Sequence, residues 1–236
     1  MTMLIAAALA FLALHLLVSG TPLRDGIVRV IGERAYLGLF SLASLVLIIW
    51  LAMAYNAASA GPDNRVLFEP GRGVRDLGIL VVGLAFLLGV QGLLMPNPTS
   101  VRQEGAAAKE GTVRGVLRIT RHPFLWGVVL WSGFHLAANG DLASTIFFAA
   151  FFVVALLGTF LIDAKRQRTL GPTWAPFAAR TSNLPFAAVF AGRNSLHLGE
   201  SLGWRFGAAL LVFLVVLFAH PHLFGVSPFP GGWRPF

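Results

Sequence analysis

The stretch Arg118-Ile-Thr-Arg-His-Pro-Phe-Leu-Trp-Gly-Val-Val-Leu-Trp-Ser-Gly-Phe-His-Leu-Ala-Ala-Asn-Gly-Asp141 decides how the chain folds. Two arginines and a histidine stand at its edge, and an apolar run follows. Pro123 suits the first turn of a helix, where its missing N–H is not needed. The helix carries His135 near its far end and stops at Asn139-Gly140, a common C-terminal signal. Asp141 then caps a second apolar run, Leu142–Ile162, through a connection so tight that the two runs form an antiparallel hairpin. Polar side chains are costly inside a membrane segment and mark functional sites by default. The other reading of His135 is an imidazole satisfied by a hydrogen bond. Both stay open at this point.

Working outward, the rest of the chain is of the same kind. Of its 236 residues, 56% are hydrophobic and only 12% charged, with a mean hydropathy of +0.75. Runs of about 20 apolar residues, the length that crosses a bilayer, recur along the chain. Six spans are expected, at 1–18, 36–55, 77–95, 122–138, 142–162 and 206–219, the fourth being short. The expected architecture is an all-α polytopic transmembrane helix bundle forming a single domain over residues 1–236. The first span lacks a basic leader and a clear cleavage signature, so it reads as retained. Residues 21–33, with Pro22, Arg24, Asp25, Arg29 and Glu33, should lie at the interface. No cysteine is present, which excludes disulfides, thiolate catalysis and iron–sulfur ligation.

The net charge of +8 reports orientation here, and no nucleic-acid partner is expected. With six spans, Arg65, Arg72, Arg75 and Arg234 fall on one side and every other lysine or arginine on the opposite side. Positive-inside bias puts that richer side in the cytoplasm and both termini outside, in a bacterial inner membrane.

Of the six histidines, His15 and His135 lie within apolar helices. They are the natural axial pair for an iron porphyrin. Gly127 and Ser132, on the His135 face, would leave room for a macrocycle or would serve close helix packing. Arg118, Arg121 and Arg34 could neutralise propionates or an acidic head group, or simply set topology. His122 could donate a hydrogen bond, ligate iron, or cap the interface, with His15–His122 as a fallback pair. His220 and His222 read as interfacial, His197 as exposed. One difficulty is visible in advance: the first and fourth spans are antiparallel, so His15 and His135 could differ in depth by about 15 Å.

The chain resembles the NnrU family of bacterial membrane proteins and, through it, the 15-cis-ζ-carotene isomerases. The resemblance runs through His15, Ile31-Gly32-Glu33-Arg34, Arg118-Ile-Thr-Arg-His-Pro123, His135 and Gly140. It continues at Asp163, Arg180-Thr-Ser-Asn-Leu-Pro-Phe-Ala-Ala188, Gly192-Arg193 and His220-Pro221. It implies haem b with His15 and His135 as axial ligands, a lipophilic polyene as substrate, and membrane lipid as surroundings. The activity it implies is cis–trans isomerisation or a redox role, and it also carries the association of NnrU proteins with denitrification. The chain departs from the isomerase at Val154-Ala155, where the carotene enzyme has a histidine pair. A second resemblance, in Arg121-His-Pro, Leu170-Gly171, Trp174, Phe177 and Pro185-Phe186, is to isoprenylcysteine carboxyl methyltransferases, which bind S-adenosylmethionine. The paired glutamates expected there are replaced by Asp163-Ala164-Lys165-Arg166, which counts against methyl transfer. A non-catalytic accessory protein is the third reading.

Overall fold

The structure, a computed structural model, describes residues 1–19 and 21–229. Among them are helices, turns and one isolated β-bridge, and no strands. The all-α membrane bundle expected from the sequence is what the chain forms. Helix α1 (Thr2–Leu12) runs into a π-helical turn, Ala13–Val18, that contains His15. The chain then bends by 80° into α2 (Pro22–Ile31), which starts on Thr21 as its cap with proline at the first turn. Gly32, at φ +81°, makes the corner into α3 (Glu33–Ser59).

A short α4 (Arg72–Asp76) leads into α5 (Gly78–Leu94), and α6 (Pro123–Ala138) follows a long polar connection. Asp141 accepts from the Ser144 amide at 2.9 Å and starts α7 (Leu142–Leu170), as its position predicted. Two short helices, α8 (Ala175–Arg180) and α9 (Ala187–Phe190), lie before α10 (Trp204–Phe224).

Four helical stretches are long and apolar enough to cross a membrane: Glu33–Ser59, Gly73–Leu94, Leu142–Thr173 and Trp204–Phe224. The bent pair Thr2–Val18 and Pro22–Ile31 supplies a fifth, and the shorter apolar α6 completes the six expected segments. Some bounds differ from expectation. The charged residues Asp163–Arg168 continue α7 as helix, and α10 runs through Pro221 to Gly225, whose φ of +72° ends it. Arg234 lies outside the described residues.

Packing follows side-chain size. Helix α6 packs on α5 and α7, α10 on α5, and α1 on α3 and α7. A Cβ added at Gly127 would come within 2.7 Å of the Ala85 carbonyl oxygen, and one at Gly92 within 2.6 Å of Pro123. These glycines let α5 and α6 approach closely, the usual device where lipid removes the hydrophobic drive between helices. Gly127 therefore serves helix contact and opens no slot for a macrocycle. Ser132 is buried and donates to its own helix at Val128. On the other side, Leu4, Ala7, Ala8 and Phe11 of α1 share a core with Leu51, Ala54 and Ala58 of α3 and Ala143 and Ala150 of α7. Large apolar side chains such as Leu42, Leu45, Ile49 and Met53 stay exposed along α3, as a lipid-facing surface requires.

Candidate functional site

The intramembrane histidines share one local design. His15 Nδ1 is 2.9 Å from the Phe11 carbonyl oxygen, and His135 Nδ1 is 2.7 Å from that of Trp131. In each case the partner lies four residues back, where the helix places it beneath the ring. A proton on Nδ1 satisfies that bond and leaves the lone pair on Nε2, the tautomer that ligating histidines adopt. The surroundings of the two Nε2 atoms differ. Ser44 Oγ on α3 lies 3.2 Å from His15 Nε2, whose ring also meets Phe40 edge-on. His135 Nε2 makes no hydrogen bond among the described residues. Its ring stacks on Phe148 at 4.7 Å and meets Trp131 and Phe134.

The structure does not bring His15 and His135 together. α7 is the helix on which both α1 and α6 pack, and its Phe151 touches Phe11 on the His15 side and Trp131 on the His135 side. The path from one to the other runs through Phe11, Phe151 and Trp131, each ring in contact with the next. His15 is directed at α3, away from α6. Among the described residues no contact joins the two imidazoles, and three aromatic rings lie along the ring-contact path between them. The donor chemistry of one axial ligand is met at His135, whose Nε2 is open. The cavities at the end of α5 are lined by neither histidine.

The arginine-rich side has a different character. His122, buried at the start of α6, donates from Nε2 to Asp163 Oδ1 at 2.8 Å. Arg121 lies 3.4 Å from the other oxygen of Asp163 and donates to the Thr181 carbonyl at 3.0 Å, its guanidinium over the Trp174 ring. Asn183 bridges Asp163 and the Trp126 indole. Thr120 and the Arg121 amide fasten the segment 181–183, while Asn97 and Thr99 hold the Arg121 carbonyl. Among the described residues, His122 Nδ1 and Arg121 Nε are buried without hydrogen-bond partners. Of the three roles open to His122, hydrogen-bond donation is the one seen, from Nε2 to Asp163, and no contact between His122 and His15 is formed among the described residues.

The arginines proposed for propionates are placed as follows. Arg118 is clamped by two bonds to Glu200, at 2.8 and 2.9 Å, and by the Ser195 carbonyl. The Arg118 guanidinium, donating to Glu200, holds that carboxyl down at about 2. Arg121 is committed to Asp163 and Thr181. Arg34 is exposed at the start of α3, in no ion pair among the described residues. None of the three reaches His15 or His135. His197 is exposed beside Ser195 and Glu200, as expected; His222 sits in the last turn of α10 and His220 just before it.

At the opposite end a strap covers the His135 side. Leu67 and Phe68 amides both donate to the Gly140 carbonyl, and Leu142 donates to that of Arg65. A Cβ at Gly140 would overlap the Phe68 carbonyl oxygen, so only glycine allows the strap to seat. Asn139 Nδ2 caps the His135 carbonyl at 2.8 Å.

Sequence reasoning missed Ser44, Phe148 and Phe151, which come from other helices. Phe11 and Trp131 were legible as residues four before a histidine. For the methyltransferase reading, Arg121, His122, Trp174 and Phe177 do meet, but Asp163 is consumed by His122 and Arg121 and offers no carboxylate to a nucleoside.

The chain is 26% identical over 211 residues to a 15-cis-zeta-carotene isomerase, chloroplastic, of Arabidopsis thaliana, covering 87% of this chain and 56% of that protein. It is 25% identical over 205 residues to the protein of the same name from Zea mays, covering 84% of this chain and 55% of the relative. The chain thus spans just over half the length of these curated relatives. No solved structure matches it. The profile of the family described as NnrU protein matches residues 3–228, and the chain belongs to that family.

Proposed function

We propose that the chain is a membrane-embedded cis–trans isomerase of a lipophilic polyene, seated in the bacterial cytoplasmic membrane, and that haem b is held through His135. The observation that carries this reading is the open Nε2 of His135, partly buried amid the Trp131, Phe134 and Phe148 rings. The names of the relatives support a polyene, and carry nothing on nitrogen oxides. When bound, haem b supplies an electron-accepting iron centre, which lowers the bond order of a nearby double bond and so its barrier to rotation.

The chain's own residues do the rest. The Trp131 carbonyl fixes the tautomer of His135 and aims its lone pair. Aromatic faces take up a flat conjugated chain, each offset ring contact contributing about 0.5–1.5 kcal/mol beyond burial. The strap on Gly140 closes the outer end, and the substrate enters from lipid between helices. Burial among apolar groups protects reactive intermediates from water.

The test uses purified protein in vesicles containing a 15-cis polyene, with absorption spectra and isomer composition as readouts. Wild type is expected to show a Soret band and to convert the cis isomer. His135→Ala is expected to lose both, and His15→Ala to keep the Soret band. Colourless, inactive wild type would overturn the reading. Loss of the band in both variants would restore the pairing of His15 with His135 and require α7 to give way.

A further inference from the structure

At the arginine-rich end of α5 two cavities adjoin through Met95. One, of about 440 Å³, is lined by Leu93, Leu94, Met95 and Pro96 on one side and by Arg102, Gln103 and Lys109 on the other. The second, of about 180 Å³, includes Arg114, Glu200 and Arg205. Arg205 joins the two, because its Nε donates to the Leu94 carbonyl at 3.0 Å while its guanidinium lies 5.0 Å from the Trp204 ring.

These cations differ from their neighbours. Arg118, Arg121 and Arg166 are each paired with a carboxylate, whereas Arg102, Lys109, Arg114 and Arg205 are in no ion pair among the described residues. Glu200 is engaged by Arg118 and by the Gly115 amide, so it does not neutralise Arg114. Arg102 also holds φ +60°, a strained backbone for a non-glycine residue. Charges that only set topology need no cavity between them. The floor is apolar and continuous with the end of a membrane span, where Leu93 is 56% and Leu94 38% exposed.

We propose that these cavities bind the phosphate head group of an anionic phospholipid, with its acyl chains lying along Leu93 and Leu94. The cationic rim recognises the net negative charge of the head group, which a zwitterionic lipid lacks, and the apolar floor selects a lipid over a soluble anion. The Trp204 ring, 66% exposed at the start of α10, stands at the height of the head groups. The site is independent of the isomerase reading.

The experiment is native mass spectrometry of the delipidated full chain, offered phosphatidylglycerol or phosphatidylcholine. Phosphatidylglycerol is expected to be retained and phosphatidylcholine not. Arg102→Gln/Lys109→Gln should weaken retention about fivefold per cation removed, and Arg114→Gln less. Arg65→Gln on the opposite side should leave it unchanged. Equal retention of both lipids, unchanged retention in the double variant, or displacement by inorganic phosphate would each overturn the proposal. These side chains are exposed and unpaired, and a melting curve like that of wild type confirms that each variant is folded.

Discussion

His122 and His135 lie on one helix, at its two ends, and do opposite work. His122 is tied to another helix through Asp163, and the residues beside it reach the connections around 97–99 and 181–183. His135 is satisfied by its own helix at Trp131 and meets its neighbours only through rings. A histidine bonded to distant carboxylates is a structural fastener. One held only by its own backbone, with no tie to another helix beyond ring contacts, is kept available. The comparison teaches that burial alone does not identify a functional imidazole. What the bonded nitrogen touches decides: a carboxylate on another helix for His122, its own backbone for His135.

The contrast breaks most sharply at the fastener. His122→Ala leaves Asp163 facing Arg121 with one partner lost, and should destabilise the protein by about 2–3 kcal/mol, as removal of hydrogen bonds to charged groups does. A fall in the detergent melting temperature would show it, and Asp163→Asn should behave alike. Should His122→Ala melt like wild type, the fastener role falls.

Next in size is the strap over the other end. Gly140→Ala forces a Cβ into the Phe68 carbonyl, and should cost about 1–3 kcal/mol as an overpacked site. Hydrogen exchange should rise at Leu67 and Phe68 while the amides around His122 stay protected. Exchange that rises equally at both ends would erase the distinction drawn between them.

At His135 itself the expected stability effect is small. His135→Phe removes a single hydrogen bond, worth about 0.6 kcal/mol on average inside membrane proteins. Melting should barely move while any Soret band disappears. A collapse of the fold in this variant would make His135 a fastener too.

The smallest effect concerns Glu200. Its carboxyl, ordinarily at 4.5, is held at about 2 by Arg118. A depressed folded value means that the contribution is complete above pH 4.5 and is lost as pH falls towards 2. The Ser195–Glu200 segment should therefore release in that window, and in Glu200→Gln at neutral pH. Limited proteolysis of the segment is the readout. Release of the wild-type segment above pH 4.5 would contradict the assignment.

Much of this was legible in the residues. Apolar run lengths fixed the six segments, and Asp141 and Asn139-Gly140 marked the hairpin correctly because caps are local chemistry. Hydropathy alone could not find the end of α7, where Asp163, Lys165 and Arg166 read as a loop. They are helical because Asp163 and Arg166 find partners in segments far away in sequence. His15 and His135 were recognisable as buried polar groups. That α7 would part them was not, because the order of helices in a bundle depends on which glycines meet. Gly127 reads equally well as a slot or a seam until Gly89 is placed against it.

The wide turn at Ala13–Val18 has a consequence for direction. A π turn accommodates one residue more than an α-helix would. Deleting one of its residues would restore α winding and keep the downstream facing, whereas the same residues rewound as ordinary α-helix would rotate everything downstream by about 100° around the axis. The polar edge of α2 that carries Arg24 and Asp25 would then swing off Glu33 and Arg168 and towards lipid. The bulge works as a phase shifter, letting one length of sequence satisfy the bilayer above it and the water-facing belt below.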